Sequence, residues 1–232
     1  MKLSIIVAMQ SEFDLVKNIF DLTKPKENYE EIFENNISFI KGKIAENEVV
    51  LMKSGIGKVN AAVQLSELIN IFQPDFVINT GVAGGIDKSL KVGDIVISEK
   101  CAYHDVWCGE GKWGQVQGLP LYFESSEVLL QKLKTISSEN TYFGLICTGD
   151  QFITQNAVLQ QIKQNFPTSL AVDMESAAMA HVCYLRKIPF VSIRVISDTP
   201  FMEKENINQY FDFFQTAPKL TFEILKKLIN VS

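Results

Sequence analysis

Residues 170–200, LAVDMESAAMAHVCYLRKIPFVSIRVISDTP, restrict the fold more tightly than any other stretch. A short apolar run leads to a carboxylate, Glu175, and a longer one leads to Asp198. The alanine-rich segment between them, with Ala177, Ala180, Val182 and Cys183, suits a closely packed helix. The pattern predicts a strand, helix, strand unit with an acid at each strand exit. Ligands of open α/β sheets bind beyond the carboxyl ends of the strands, so adjacent parallel strands would deliver both acids to one crevice. The same residues also suit plainer duties, Glu175 as a helix-dipole partner and Asp198 as a turn residue before Thr199-Pro200.

The rest of the chain repeats the alternation. Ile5-Ile6-Val7-Ala8 reads as a strand covered on both faces, and Met9-Gln10-Ser11-Glu12 turns into a helix with Phe13, Val16, Ile19 and Phe20 inward. Glu12 thus stands at a third strand exit, where an acid also suits a helix dipole. Residues 37–53 read as a hairpin turning at Glu46-Asn47-Glu48. Ser54-Gly55-Ile56-Gly57-Lys58 lacks P-loop spacing; it predicts a tight turn before a helix over 59–72, lining a pocket with backbone N–H groups or only letting strand and helix pack. A strand over 76–79 is expected to end in the turn Thr80-Gly81-Val82-Ala83-Gly84-Gly85, whose glycines let a ligand approach the backbone.

Further strands are expected at 92–97 and 143–147. Phe152, after the second, suits the core or stacking on a purine, and Thr154 suits a helix cap. Residues 101–122 read as a long aromatic loop of the kind that forms a lid, a binding loop or an oligomer contact, with His104-Asp105 structural. In the tail, Phe211, Phe214, Phe222 and Leu225 share a helical face, and Pro218 starts a new helix or kinks this one.

With 232 residues, 47% of them hydrophobic and 21% charged, and no linker-like or repeated segment, the chain is expected to form one α/β domain over residues 1–232. The net charge is -5 and 20 of the 22 basic residues are lysines, without a basic stripe, so nucleic acid is not an expected partner. No apolar stretch approaches the ~20 residues that cross a bilayer. The N-terminal run shows no small-residue cleavage site, so a cytoplasmic protein without a membrane partner is expected. Cys101, Cys108, Cys147 and Cys183 form no close C-x-x-C pair, and with two histidines no metal site is expected.

Acids at three strand exits suit a reaction that works through carboxylates. Hydrolysis of a glycosidic bond is one: the transition state is oxocarbenium-like, one acid protonates the leaving group, and a carboxylate activates water. A purine leaves poorly as an anion, so the proton must go to a ring nitrogen. The acid must then hold its proton near neutrality, far above the ~3.9 of a free Asp, which burial beside other carboxylates can arrange.

The blocks A-M-x-x-E (8–12), K-S-G-I-G-K-V (53–59), N-T-G-x-A-G-G (79–85), K-V-G-D-I-V (91–96), G-D-x-F-I (149–153), V-D-M-E-S-A-A (172–178) and R-V-I-S-D (194–198) run in one order through most of the chain. Together they resemble the bacterial 5'-methylthioadenosine/S-adenosylhomocysteine nucleosidases. The resemblance implies a phosphorylase/hydrolase-like three-layer αβα sandwich with a mixed, mostly parallel central sheet, a homodimer, no cofactor and a small adenine nucleoside as substrate. It implies hydrolysis of the N-glycosidic bond of 5'-methylthioadenosine and S-adenosylhomocysteine, releasing adenine and the thioribose product.

Carried over by residue, the resemblance makes Asp198 the acid that protonates adenine N7, oriented by Ser197. Glu12 is the base that positions water, Arg194 helps hold that water, and Glu175 binds the ribose hydroxyls with the Met174 backbone. Phe152 stacks on adenine, the Ile153 backbone reads its edge, and Met9 and Ile56 line the thioalkyl pocket. Val82, Ala83, Gly84 and Asp173, from the matching blocks, join the binding surface. An aromatic at Tyr210 or Phe211 caps it, with Phe211 taken as the site residue. Val82 stands where many relatives have Ser, and the 101–122 loop leaves the pattern after Tyr103-His104-Asp105. One alternative is a purine nucleoside phosphorylase, disfavoured by two arginines and an acid at position 12 where phosphate would sit. Others are a hydrolase of another adenine nucleoside such as aminofutalosine and a non-catalytic nucleoside-binding protein.

Overall fold

A computed structural model describes the backbone at residues 1–23, 29–200, 206–216 and 219–231, and the side chains there except at 19–23, 214–216, 219–222 and 231. Ile19, Phe20, Phe214, Pro218 and Phe222, expected to shape their helices, fall outside what is described.

The sheet is built around β1 (Lys2–Val7), which pairs in parallel with β4 (Asn47–Lys53) on one side and β5 (Phe76–Gly85) on the other. Beyond β4 the expected hairpin partner β3 (Ile37–Ile44) runs antiparallel. A strand absent from the sequence reading, β2 (Tyr29–Glu34), covers the edge; only Tyr29 and Ile32 are even partly buried in it, so it carried little apolar signal. The apolar runs divide between two cores because successive side chains point to opposite faces. Ile6, Val50 and Met52 join one core with α2 (Lys58–Phe72) and α5 (Ser176–Arg186). Leu3, Ile5, Val7, Val49 and Leu51 join the other with α1 (Gln10–Thr23), α3 (Glu127–Ile136) and α7 (Lys219–Val231).

On the other side of β5 the sheet closes on itself. β5 pairs in parallel with β10 (Phe190–Asp198), β10 antiparallel with β6 (Ile95–Tyr103), and β6 in parallel with β8 (Thr141–Thr148). β8 pairs in parallel with β9 (Ser169–Asp173), which returns antiparallel to the end of β5 through Val172↔Gly84 and Ala171↔Gly85. A short β7 (Phe123–Glu124) sits on β6, and α4 (Asn156–Asn165) and α6 (Asn206–Thr216) complete the elements among the described residues.

The closure corrects several expectations. The β9, α5, β10 unit exists, but β9 and β10 are not adjacent parallel strands: β5 lies between them, parallel to β10 and antiparallel to β9. Residues 80–85 are not a turn. They continue β5, and the glycines serve strand crossing, since a Cβ on Gly85 would lie 2.9 Å from Ile196 Cγ2 and one on Gly84 3.3 Å from Val172 Cγ2. β6 extends to Tyr103, shortening the aromatic loop, and α4 is preceded by Gln155, without a side-chain capping bond, rather than by Thr154. No helix among the described residues is long and apolar enough to cross a membrane.

Leu65, fully buried on α2, anchors the first of the two cores. Leu65→Ala is expected to destabilise the protein by about 2–5 kcal/mol, read from urea unfolding curves; a smaller change would mean that the helix repacks freely on the sheet.

Candidate active site

Glu12 lies in the first turn of α1, where Phe13 N–H closes the first helical bond on Met9 O. Its Oε2 accepts from Met9 N–H and Ala8 N–H, both at 3.0 Å, reaching back over the helix start as a capping-box glutamate does. Oε1 accepts from Val82 N–H at 3.0 Å. Helix capping and site duty therefore coincide. A carboxylate has about four acceptor positions; three are taken by backbone and one is left for the cavity. Burial raises the Glu12 pKa, opposed by the Arg194 charge and the three N–H donors.

Arg194 is carried by β10, whose residues are all buried, and is 1% exposed. Its Nη2 lies 2.9 Å from Asp173 Oδ2 and 3.5 Å from Glu175 Oε2. Nε donates to the Ser176 and Ser192 hydroxyls at 3.2 and 3.3 Å, and Asn79 Oδ1 accepts from Nη2. Asp173 also accepts from the hydroxyls of Thr148 and Ser176. Glu175, immediately before α5, receives Gly57 N–H on Oε1 at 3.0 Å, so the glycine turn before α2 supplies a backbone donor. Burial first, and the charge of Asp173 with it, raises Glu175 to about 7 against the pull of Arg194.

Asp198 ends β10 and is 2% exposed. Oδ1 accepts from Ser197 Oγ at 2.7 Å and Oδ2 from Asn206 Nδ2 at 2.9 Å. Burial raises its pKa, with the Asn206 and Ser197 donors acting the other way. The arrangement yields carboxyl groups that hold protons above the ordinary carboxylate range beside one permanent cation.

These groups meet at a cavity of about 400 Å³. Val82, Ala83 and Gly84 of β5 border it together with Glu12, Glu175, Ser197 and Asp198. Asp173, Met174, Phe152 and Ile153 border it on the strand-exit side, and Met9, Ile56, Tyr210 and Phe211 at the apolar mouth. Arg194, expected to touch water, does not border it; the guanidinium lies beneath the carboxylates, since its strand is covered on both faces. The choice between Tyr210 and Phe211 dissolves, as both border the cavity and Tyr210 O–H meets Met9 Sδ at 3.1 Å. Residues 101–122 do not border it. There Trp107 and Trp113 stack on each other at 5.7 Å, and Asp105 pairs with Lys58 at 2.7 Å.

The glycine turn, which reads from sequence as lining a pocket with backbone N–H groups or only letting strand and helix pack, supplies one such group, Gly57 N–H, to Glu175. Sequence reasoning missed Asn206 and the polar floor that Asn79, Ser176 and Ser192 make under Arg194, because each meets its partner through strand closure or helix docking. Gly81 is the one exception in kind: an added Cβ would collide with the Glu12 carboxylate and lie 2.8 Å from Arg194 Nη1, so glycine there is a readable mark of close approach.

The model of the phosphorylase superfamily matches residues 2–230. A 5'-methylthioadenosine/S-adenosylhomocysteine nucleosidase of Staphylococcus aureus is 41% identical over 208 residues, 88% of this chain and 89% of the relative. The chain belongs to this nucleosidase family. Among solved structures, the Neisseria meningitidis nucleosidase in complex with methylthio-immucillin-A is 35% identical with a TM-score of 0.89, covering 100% of this chain and 99% of that one. A futalosine hydrolase mutant of Helicobacter pylori is 27% identical with a TM-score of 0.90, covering 100% of both chains. The mixed sheet with its helices is therefore the fold of the 5'-methylthioadenosine/S-adenosylhomocysteine nucleosidases.

In this family member, Glu12, Glu175 and Asp198 all have pKa values above their ordinary ones. Each carboxyl binds its proton more tightly in the folded chain. Its contribution to stability is thus fully present below the unfolded pKa and lost as pH rises through the folded value, about 7 for Glu175. The ligand-free protein is expected to melt at lower temperature near pH ~8 than near pH ~5.5, and Glu175→Gln to flatten the difference. A rising melting temperature over that interval would contradict the site electrostatics.

Proposed function

We propose that this chain hydrolyses the N-glycosidic bond of 5'-methylthioadenosine and S-adenosylhomocysteine, without phosphate or cofactor. The observation that carries the reading is the pairing, on one cavity, of a buried aspartic acid whose pKa burial raises with a glutamate that three backbone N–H groups hold while leaving it an acceptor position. Gly81, against Glu12, and Gly84, 3.4 Å from Asp198 Oδ2 if given a Cβ, stand three residues apart on β5. Three extended residues span roughly 10 Å, enough to seat a ribose and a base between the two carboxyls.

In this mechanism Asp198, oriented by Ser197, donates its proton to adenine N7, so the base leaves neutral. The developing oxocarbenium is offset by the nearby carboxylates. Glu12 takes a proton from the attacking water. Arg194 acts from beneath, keeping Glu12 and Glu175 sufficiently ionised to accept hydrogen bonds, and Glu175 receives the ribose hydroxyls with the Met174 backbone. Phe152, 40% exposed, stacks on the purine and Ile153 reads its edge; Met9, Ile56 and Phe211 hold the 5' group. Asp173 orients the floor through Arg194 and Ser176.

The helices on both faces of the sheet support the three-layer αβα reading over one domain, 1–232, with the five-strand ring as its local elaboration. A homodimer fits the exposed Val59 and Val63 on α2 with Tyr184 and Leu185 on α5, and a cytoplasmic site of action fits a metabolite substrate. The likeness to the futalosine hydrolase supports a second reading, another adenine nucleoside handled by the same acids with a different 5' group.

Adenine release from methylthioadenosine, adenosylhomocysteine and aminofutalosine, with and without phosphate, tests this. Phosphate-independent release is expected; a strict phosphate requirement with a ribose 1-phosphate product would overturn it. Asp198→Asn should lower kcat by at least about a thousandfold while a nucleoside analogue still binds.

A further inference from the structure

Asn206 opens α6 with its side chain turned inward, 6% exposed, rather than toward solvent. Its Nδ2 makes two hydrogen bonds, one to Asp198 Oδ2 at 2.9 Å and one to Ile153 O at 2.8 Å. The Ile153 carbonyl can only accept, so it dictates the amide orientation: the NH2 group faces that carbonyl and the Asp198 carboxyl oxygen beside it and uses its two protons on them. With those protons about 120° apart, the two acceptors are held roughly 5 Å from each other. A purine presents N7 and a 6-amino group side by side on one edge, so an acid and a carbonyl so spaced can address the two together.

We propose that Asn206 is a positioning residue of the reaction, holding the acid Asp198 and the Ile153 carbonyl in one register so that both meet the same edge of the adenine. This rests on the nucleosidase reading above. Two further features accompany the contact. The helix that begins with Asn206 brings Ile207, Tyr210 and Phe211 to the cavity, so the acid's alignment is tied to the element that forms the mouth. Three residues on, Gln209 Oε1 accepts from Thr199 N–H at 2.9 Å, a second tie of α6 to the chain beside the acid that leaves the Asp198 carboxyl untouched. The two ties separate docking of the helix from alignment of the acid.

The donor from Asn206 favours the ionised form of Asp198. Removing it makes Asp198 hold its proton to higher pH, and a rate that needs protonated Asp198 must then persist to higher pH. The other titratable groups of the cavity, Glu12, Glu175, Asp173 and Tyr210, with Arg194 beneath, are unchanged in the variants, so a displaced limb reports the lost donor.

The test measures kcat and KM for methylthioadenosine against pH, with melting curves, for the unaltered chain and for Asn206→Ala, Asn206→Asp and Gln209→Ala. Asn206→Ala is expected to move the alkaline limb of kcat/KM upward by about one pH unit and to lower kcat about tenfold. Asn206→Asp keeps the shape but sets a second carboxyl against Asp198, and should move the limb further; it carries the test if the alanine variant fails to fold. Gln209→Ala should leave the limb where it is. An unmoved limb in both Asn206 variants, or an equal movement in Gln209→Ala, would overturn the inference while adenine release by the unaltered chain upholds the nucleosidase. If the unaltered chain releases no adenine, the reading beneath falls and takes the inference with it.

Discussion

One guanidinium buried under carboxylates sets the terms for the rest of the molecule. Arg194 remains charged at any pH the protein meets, and Asp173, Glu175 and Glu12 all act on it. A buried ion pair seldom adds net stability, since the desolvation of both partners consumes much of their attraction. Its value here is that it lets acids gather where alone they could not. Asn79, Ser176 and Ser192 occupy further guanidinium hydrogens, so the charge is solvated by fixed dipoles in place of water. The cation neither saturates nor isolates the acids. It leaves Glu175 raised to about 7 and Glu12 with an acceptor position beyond its three backbone donors.

That cluster requires a backbone close beneath it, and β5 provides one. Residues 80–85 run as a strand flanked by β10 and β9; side chains at Gly81 and Gly85 would strike the Glu12 carboxylate and Ile196, and one at Gly84 would crowd Val172. The glycines bring strand and carboxylates within hydrogen-bonding distance, as at Val82 N–H, and they let the sheet close into its ring. Closure in turn sets Asp198 and Glu175 around the same strand from opposite neighbours. Away from this polar floor the cavity becomes apolar, through Phe152, Met9 and Tyr210 to the half-exposed Ile56 and the exposed Phe211. A ligand with a polar sugar at one end and an apolar substituent at the other matches that gradient.

The sequence by itself determined the alternation of strands and helices, the strand-exit positions of Glu12, Glu175 and Asp198, and the family. These rest on local chemistry: continuous apolar runs for strands covered on both faces, alanine spacing in α5, and short blocks whose residues act where they stand. What it left unread was made by contacts distant in the chain. Gly84 meets Val172, Gly57 N–H meets Glu175, and Arg194 meets Asn79 across separations that no window spans. The weakly apolar β2 escaped notice, and the glycine run read as a turn because glycine marks turns and close strand crossings alike. Only the tertiary structure decided that β5 separates the two acid-bearing strands, that Arg194 sits below the cavity, and that Asn206 holds Asp198. Burial is a property of the assembled layers, and a carboxyl keeps its proton at neutral pH only after those layers have removed the water around it.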